Sequence, residues 1–240
     1  MSPYTVSWHL ETLVFVPGLA VAYAFVIRRF PVSRARLWSF VAGELLILLS
    51  FATPLETIAL HYLLTAHLLQ NVVLAEWAPA LLVAALPREF ARRVRVHPLA
   101  ALPLWLATYY VWHVPAIYDY ALAHQDSLLH VEHATYLIAG TLVWWPVIHS
   151  NYASATKAAY LFGAFVLGSP LGLLLALVPN AVYDFYVHTP RLWGLSALRD
   201  QQIAGMTMAA EQAVVFFAAF AVFFLRFLRE EQAAGLVHLR

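Results

Sequence analysis

The stretch HYLLTAHLLQNVVLAEWAPALLVAALP, residues 61–87, decides the fold class of this chain. It is long enough to cross a bilayer, for which an α-helix needs about 20 predominantly apolar residues. It nevertheless carries polar side chains where leucine would cost less in lipid, at His61, His67, Gln70, Asn71 and Glu76. Because polar groups at membrane depth are costly, they are functional candidates by default.

The rest of the chain has the same apolar character. Of its 240 residues, 62% are hydrophobic and 11% are charged, whereas about a quarter of a soluble domain is charged. In lipid each apolar segment must be helical, because its backbone groups need partners within the segment. The sequence therefore predicts an all-α polytopic membrane protein, a seven-transmembrane-helix bundle that forms a single integral membrane domain over residues 1–240. The helices are expected at about 10–27, 37–54, 59–86, 99–114, 128–148, 157–178 and 202–226.

The basic residues predict the orientation, since cytoplasmic loops of membrane proteins are enriched in Lys and Arg. Alternate loops and the C-terminal segment place most of them on one side of the bilayer, and only Arg191 and Arg199 fall on the other. The N-terminus is therefore expected outside and the C-terminus in the cytoplasm. Most histidines then fall in the outer half of the bundle or in outer loops.

Several classes of chemistry are excluded by composition. The chain has no cysteine, which excludes disulfides, thiolate metal sites and iron–sulfur clusters. A net charge of +1 gives no indication of a nucleic-acid partner. A retinal pigment is excluded because the lone lysine, Lys157, falls on the sixth predicted helix, and the seventh has none to form a Schiff base.

The outer histidines are candidate metal ligands. His130 and His133 share one face of the fifth predicted helix, His67 lies in the third and His113 ends the fourth. Imidazole suits copper and zinc, and Glu132 could accept a hydrogen bond from a ligating ring. Any one of these histidines could instead hydrogen-bond a backbone carbonyl, so only the set indicates a metal or haem.

Three carboxyl groups are expected within the membrane, at Glu44, Glu76 and Glu211. An ionised carboxylate there costs several kcal/mol unless it is paired. Each could therefore be a protonated group bonded to a neighbouring helix, or part of a proton or ion path.

The stretch RDQQIAGMTM, residues 199–208, opens the last predicted helix. Asp200 is expected to cap that helix through its free amides. Gln201 and Gln202 add donors at the outer rim, and Gly205 allows close helix approach. Elsewhere, Trp144, Trp145, Tyr109 and Tyr110 are expected to anchor at the membrane interface, while Asp119 in an outer loop is a candidate for interaction.

Five blocks of sequence resemble the CtaG family, the bacterial membrane proteins needed to assemble caa-type cytochrome c oxidase. In order they are AHLLQN, APALLVAALP, WHVPAIYDYAL, LHVEHATYLIAGTLVWWPVI and DQQIAGMTM, between residues 66 and 208. The resemblance implies a multi-pass protein of the bacterial plasma membrane that helps to form the oxidase's copper centre. It also implies the haem–copper oxidase catalytic subunit as partner, and no enzymatic turnover.

The polar residues that match the family's blocks are His67, His113, Asp119, His130, Glu132, His133, Asp200, Gln201 and Gln202. The chain departs from the pattern at Asn71, where the family has a second histidine, and at Ala209, where it has tryptophan. Asparagine is a poorer copper ligand than histidine, so a helix-three histidine pair is absent and the chain resembles a divergent member.

Two classes of function therefore lead. The first is an assembly factor that holds copper at the outer face, chiefly through His67, His130 and His133, and passes it to the oxidase. The second is a metal-free accessory subunit of a respiratory oxidase complex, which Asn71 and Ala209 favour. A b-type haem protein with paired histidine axial ligands is a further alternative.

Overall fold

The computed structural model describes residues 2–6, 8–9 and 11–238, and none of these residues lies in a strand. The prediction of an all-α chain is confirmed. The helices are labelled in chain order: α1 Glu11–Arg29, α2 Arg34–Phe51, α3 Pro54–His61, α4 Leu64–Ala85, α5 Arg88–Ala91, α6 Pro98–Trp112, α7 Pro115–Ala123, α8 His130–His149, α9 Ser154–Leu177, α10 Asp184–His188 and α11 Ala197–His238.

Four helices of the described chain, α1, α4, α9 and α11, are long and apolar enough to cross a membrane. A fifth span results if α2 and α3, which are bent by 52° relative to each other, form one broken span. The other two predicted segments are helical but less typical of spans. Helix α6 has 15 residues, fewer than the about 20 that a span usually needs, and α8 opens with polar side chains.

Two predicted boundaries were wrong. The third segment does not run from 59 to 86, because the helix ends at His61, and Tyr62 and Leu63 leave the helical conformation before α4 begins at Leu64. The last helix does not end at 226 but continues to His238. Its extension is rich in Arg, Glu, Gln and Ala, which are good helix formers in water, so loss of hydrophobicity does not end the helix.

Helix α4 is the central helix of the bundle. It packs against α2 and α8 through its second half and against α11 through its first half. Its apolar window is 67% buried, compared with 17% for α1. The polar side chains of residues 61–87 are therefore tolerated because most of them face protein rather than lipid.

The described chain has three π-helical turns: Glu11–Phe15 opens α1, Val73–Trp77 interrupts α4, and Gln125–Leu129 directly precedes α8. A π turn leaves backbone carbonyl groups without their usual partners, and such turns are frequent at functional sites. At the second turn, the indole N–H groups of Trp105 and Trp144 donate to the carbonyl oxygens of Ala75 and Glu76, at 3.3 and 2.9 Å.

The expectation of interface anchors was therefore wrong for three of the four aromatic residues. Trp144 and Trp145 are buried, with indole N–H groups bonded to backbone carbonyls, and Tyr109 is fully buried. Only Tyr110 is exposed. A buried indole needs an acceptor for its N–H, and the irregular backbone of α4 supplies one for Trp144.

The predicted close approach at Gly205 is confirmed, because α9 and α11 are in contact there. A Cβ atom at Gly205 would lie 2.5 Å from the carbonyl oxygen of Gly172 and 2.6 Å from the amide nitrogen of Ala176. A Cβ at Gly172 would lie 2.8 Å from the carbonyl oxygen of Gly205. Both clashes involve backbone, so they can be relieved only if the two helices move apart.

Gly205→Ala is therefore expected to lower the free energy of unfolding by about 1–3 kcal/mol, the usual cost of overpacking. The matched control is Gly163→Ala in α9, where a Cβ would make an ordinary 3.6 Å contact with Leu102. Thermal unfolding in detergent compares the two variants. Equal melting temperatures would contradict the close packing of α9 on α11.

Candidate functional site

Two histidines of α8 share one carboxylate from α1. The Nδ1 atoms of His130 and His133 lie 2.6 and 2.7 Å from Oε1 of Glu11. Glu11 and His133 are each 1% exposed, whereas the His130 side chain is 20% exposed and forms the edge of the cluster. One ligand atom from each of the three residues lies within 4.8 Å of the others, so the group could hold a metal ion.

A third histidine, His67 of α4, stands behind this cluster. Its ring centroid lies 6.2 Å from that of His133. Its Nδ1 atom lies 2.8 Å from the Tyr186 hydroxyl, which donates to the carbonyl oxygen of Ala59 at 2.7 Å. Burial raises the pKa of Tyr186 well above its ordinary value, so the hydroxyl keeps its proton for Ala59. His67 must then donate from Nδ1, which leaves a lone pair on Nε2.

The same tautomer follows for two more buried rings. His113 can only donate from Nδ1 to the carbonyl oxygen of Tyr109, 2.8 Å away, and His133 donates from Nδ1 to the Glu11 carboxylate. Among the described residues, none hydrogen-bonds Nε2 of His67, His113 or His133. Three buried imidazoles therefore hold unused lone pairs, which is the form in which histidine binds a metal.

The four predicted ligands do not converge on one point. His130 and His133 are brought together, and the ring of His67 is next to that of His133. His113 contacts the ring of Tyr118, which also contacts His67, with centroid distances of 5.8 and 5.3 Å. In the described chain, the group compact enough for a metal contains Glu11 in place of His67 and His113.

Glu132 and Asn71 form a pair of their own. Asn71 donates from Nδ2 to Oε1 of Glu132 at 3.0 Å, and both side chains are buried. Glu132 therefore contacts Asn71 rather than an imidazole, although it was expected to accept from one. Glu11, rather than Glu132, bonds the imidazole of His133. Glu132 cannot do so, because adjacent residues of a helix do not face each other.

Asp200 does not cap its own helix, and that prediction was wrong. Ser196 caps α11, with its hydroxyl accepting from the amide of Arg199 at 3.2 Å. The Asp200 carboxylate reaches across to α4, where it accepts from the amides of Leu64 and Thr65 at 2.7 and 3.1 Å. These amides open α4 within the protein, so the carboxylate satisfies donors that water does not reach.

Asp119 and Gln201 hold the segment that carries Tyr186. The Asp119 carboxylate accepts from the first two amides of α10, at 3.1 and 3.0 Å. Gln201 accepts from the amide of Val182 at 2.7 Å and donates to the carbonyl oxygens of Leu175 and Asn180, both at 3.2 Å. Both residues therefore position backbone, while Gln202 next to them is partly exposed.

Two of the three predicted membrane carboxyl groups, Glu76 and Glu211, form a second, deeper cluster. Gln212 donates to Oε1 of Glu76 at 3.1 Å, and the Trp77 indole donates to Oε1 of Glu211 at 2.5 Å. Trp77 follows Glu76 in the chain and Gln212 follows Glu211, so these two hydrogen bonds join both carboxyl groups in one cluster. Glu44 stands apart, half-buried on α2.

Sequence reasoning missed Glu11 and Tyr186. Glu11 is the first residue of α1, and an acid at the start of an apolar segment is the only signal that the sequence offers. Tyr186 lies in a short helix between spans, and nothing in the sequence pairs it with His67. The contacts join residues 119 positions apart for His67 with Tyr186 and 122 positions apart for His133 with Glu11, separations that local patterns do not report.

Comparison with known proteins gives one match. A family model described as "Cytochrome c oxidase caa3 assembly factor (Caa3_CtaG)" matches residues 18–230. No curated protein and no solved structure matches the chain. Glu11 lies before the matched residues, whereas His67, His113, His130 and His133 lie within them.

Asp200→Asn is expected to lower the free energy of unfolding by about 2–3 kcal/mol, because an amide NH₂ replaces an acceptor opposite buried backbone N–H groups. Denaturant unfolding in detergent measures the change. The control, Asp126→Asn, alters an exposed carboxylate and is expected to shift stability by at most about 0.5 kcal/mol. An unchanged Asp200→Asn protein would show that the cap contributes nothing.

Proposed function

The chain belongs to the cytochrome c oxidase caa3 assembly factor family, and we propose that it holds copper for the oxidase at the outer face of the bacterial plasma membrane. The copper is cargo, and the role requires no catalytic turnover. The observation that carries the proposal is the convergence of Glu11, His130 and His133.

The donor set fits a transferable copper ion. Imidazole nitrogen and carboxylate oxygen bind copper and zinc, while thiolates would hold Cu(I) more tightly. The chain has no cysteine, so retention of the ion depends on histidine. His67 adds a further lone pair next to His133. Two neighbouring rings that bind copper one after the other would form a short transfer path.

The position of His130 supports release to a partner. It is the most exposed of the three ligands, so it is the ligand that an incoming imidazole can replace first. Val131 and Ile138 of the same helix are 48% and 59% exposed and give α8 an apolar outer face. We infer that this face contacts the catalytic subunit of the haem–copper oxidase within the bilayer.

The copper proposal predicts that His130→Ala/His133→Ala abolishes binding of Cu(I) to the purified chain. Wild type is expected to retain one copper per chain after loading under reductant and desalting. Glu11→Gln should also weaken binding, because it removes the carboxylate from the three-ligand set. Metal analysis of the desalted protein measures the copper content of the wild type and of both variants.

The matched control is His124→Ala, since His124 is exposed and, within the part of the chain that the structure describes, its side chain hydrogen-bonds just the carbonyl oxygen of Tyr120. It should bind copper as wild type does. Wild type without copper, but with normal oxidase assembly, would overturn the copper role and support the metal-free accessory subunit. A haem band in the visible spectrum would instead support the b-type cytochrome alternative.

We further propose that all seven segments cross the membrane, with the N-terminus outside and the C-terminus in the cytoplasm. The broken α2–α3 pair counts as one span. Helices α6 and α8 also count as spans, because neighbouring helices pack against them and shield the parts that are too short or too polar for lipid. The distribution of arginine supports this orientation. It places the Glu11 cluster outside and Arg88 to Arg95 inside.

The topology is testable because the chain has no cysteine, so each introduced thiol is the only one. Asp126→Cys lies between α7 and α8, and Asn151→Cys lies between α8 and α9. In spheroplasts, a membrane-impermeant maleimide is expected to label Asp126→Cys, and to label Asn151→Cys only after lysis. The reverse pattern, or labelling of both, would contradict the orientation.

A further inference from the structure

A large cavity lies at the end of the bundle opposite the histidine cluster. Its volume is about 570 Å³, within the range of small-molecule sites. Helix α8 connects the two ends, with His130 in the cluster and His149 in the cavity wall. Its 20 residues span about 30 Å at 1.5 Å per residue.

The polar part of the cavity wall is strongly cationic. Arg88, Arg92, Lys157 and Arg226 line it, together with His149, and none of the described lining residues is acidic. The nearby carboxylate of Glu230 is engaged by the Ser154 hydroxyl at 2.7 Å. Like charges gathered around one space repel each other unless an anion lies between them.

The cationic groups are positioned but largely unpaired. Lys157 and Arg226 lie over the ring of Phe223, 5.3 and 5.2 Å from its centroid, and Lys157 donates to the carbonyl oxygen of Ser150 at 2.9 Å. The guanidinium groups of Arg88, Arg92 and Arg226 form no hydrogen bond or ion pair with any residue that the structure describes. Their donors remain available to a ligand.

Apart from Ser150 and Asn151, the remaining wall of the cavity is apolar. Its apolar side chains come from α8 and α11, namely Trp144, Val147, Ile148, Ala219, Val222 and Phe223. A ligand that complements both parts of the wall carries an anionic group at one end and hydrocarbon at the other. A free anion would leave the apolar wall uncovered.

We propose that this cavity binds a phosphate group carried by an anionic phospholipid, whose acyl chain lies along α8 and α11. Arginine matches the geometry of phosphate through paired N–H donors, and basic pockets between membrane helices bind anionic headgroups. A second cavity of about 480 Å³ adjoins the first, shares Arg92 and His149, and adds Arg95 and His97. A lipid with two phosphate groups can place one in each cavity and binds most tightly.

The test is the thermal stability of the full chain in detergent, titrated with phosphatidylglycerol, cardiolipin, phosphatidylcholine or inorganic phosphate. Phosphatidylglycerol and cardiolipin should raise the melting temperature at micromolar concentration, with cardiolipin acting at the lower concentration. The zwitterionic lipid and inorganic phosphate should not. Arg88→Gln/Arg92→Gln should weaken the response by about tenfold or more.

The control is Arg29→Gln/Arg34→Gln, which removes two exposed arginines that line neither cavity and should leave the response unchanged. Lys157→Gln is a second, independent variant that should also weaken it. A response to inorganic phosphate equal to that of the lipids would overturn the lipid as the source of the phosphate. Equal responses from the control and the Arg88/Arg92 variant would overturn the site. Copper binding by the Arg88/Arg92 variant should be normal, which separates this result from the copper proposal.

Discussion

The buried start of α4 is the constraint on which the outer half of the molecule depends. A helix exposes unpaired amide groups at its N-terminus, and here Leu64 is only 2% exposed, so solvent cannot satisfy them. Asp200 does so from α11, and Thr65 strengthens the joint by donating its hydroxyl proton to the same carboxylate at 2.7 Å. These hydrogen bonds hold the start of α4 against α11, one helical turn away from His67.

Three of the five polar side chains that look misplaced in residues 61–87 then fall into two groups. His67 and Asn71 belong to the outer half, where they hydrogen-bond Tyr186 and Glu132, respectively. Glu76 belongs to the deeper carboxyl cluster with Glu211 and Gln212. Both groups retain buried polar atoms that lack partners among the described residues.

Much of the architecture could be predicted from the sequence, because hydrophobic length and lipid leave the chain little choice but helix. The pairing of His130 with His133 followed from their spacing on one helix face. Glu11 could not be predicted as their partner, since its contact depends on how α1 packs on α8. Asp200 was assigned the wrong helix for the same reason: a cap motif shows that a carboxylate is available but not which amides lie nearest. The burial of Trp144 likewise depended on the irregular backbone of α4, and that of Trp145 on the carbonyl oxygen of Val94.

The π turn at Val73–Trp77 also sets the rotational phase between the two halves of α4. Each residue of a regular helix turns the chain by about 100°, so a one-residue insertion redirects every side chain that follows it. The outer half can therefore face the histidines while the inner half faces α2 and α8, although one continuous helix joins them. A single-residue deletion in this turn would restore regular hydrogen bonding and leave both halves facing their present partners, because the wide turn absorbs the extra residue. A deletion in either regular half of α4 would instead rotate all later side chains by about 100° relative to their partners. The turn thus fixes which residues of the sequence face which partner.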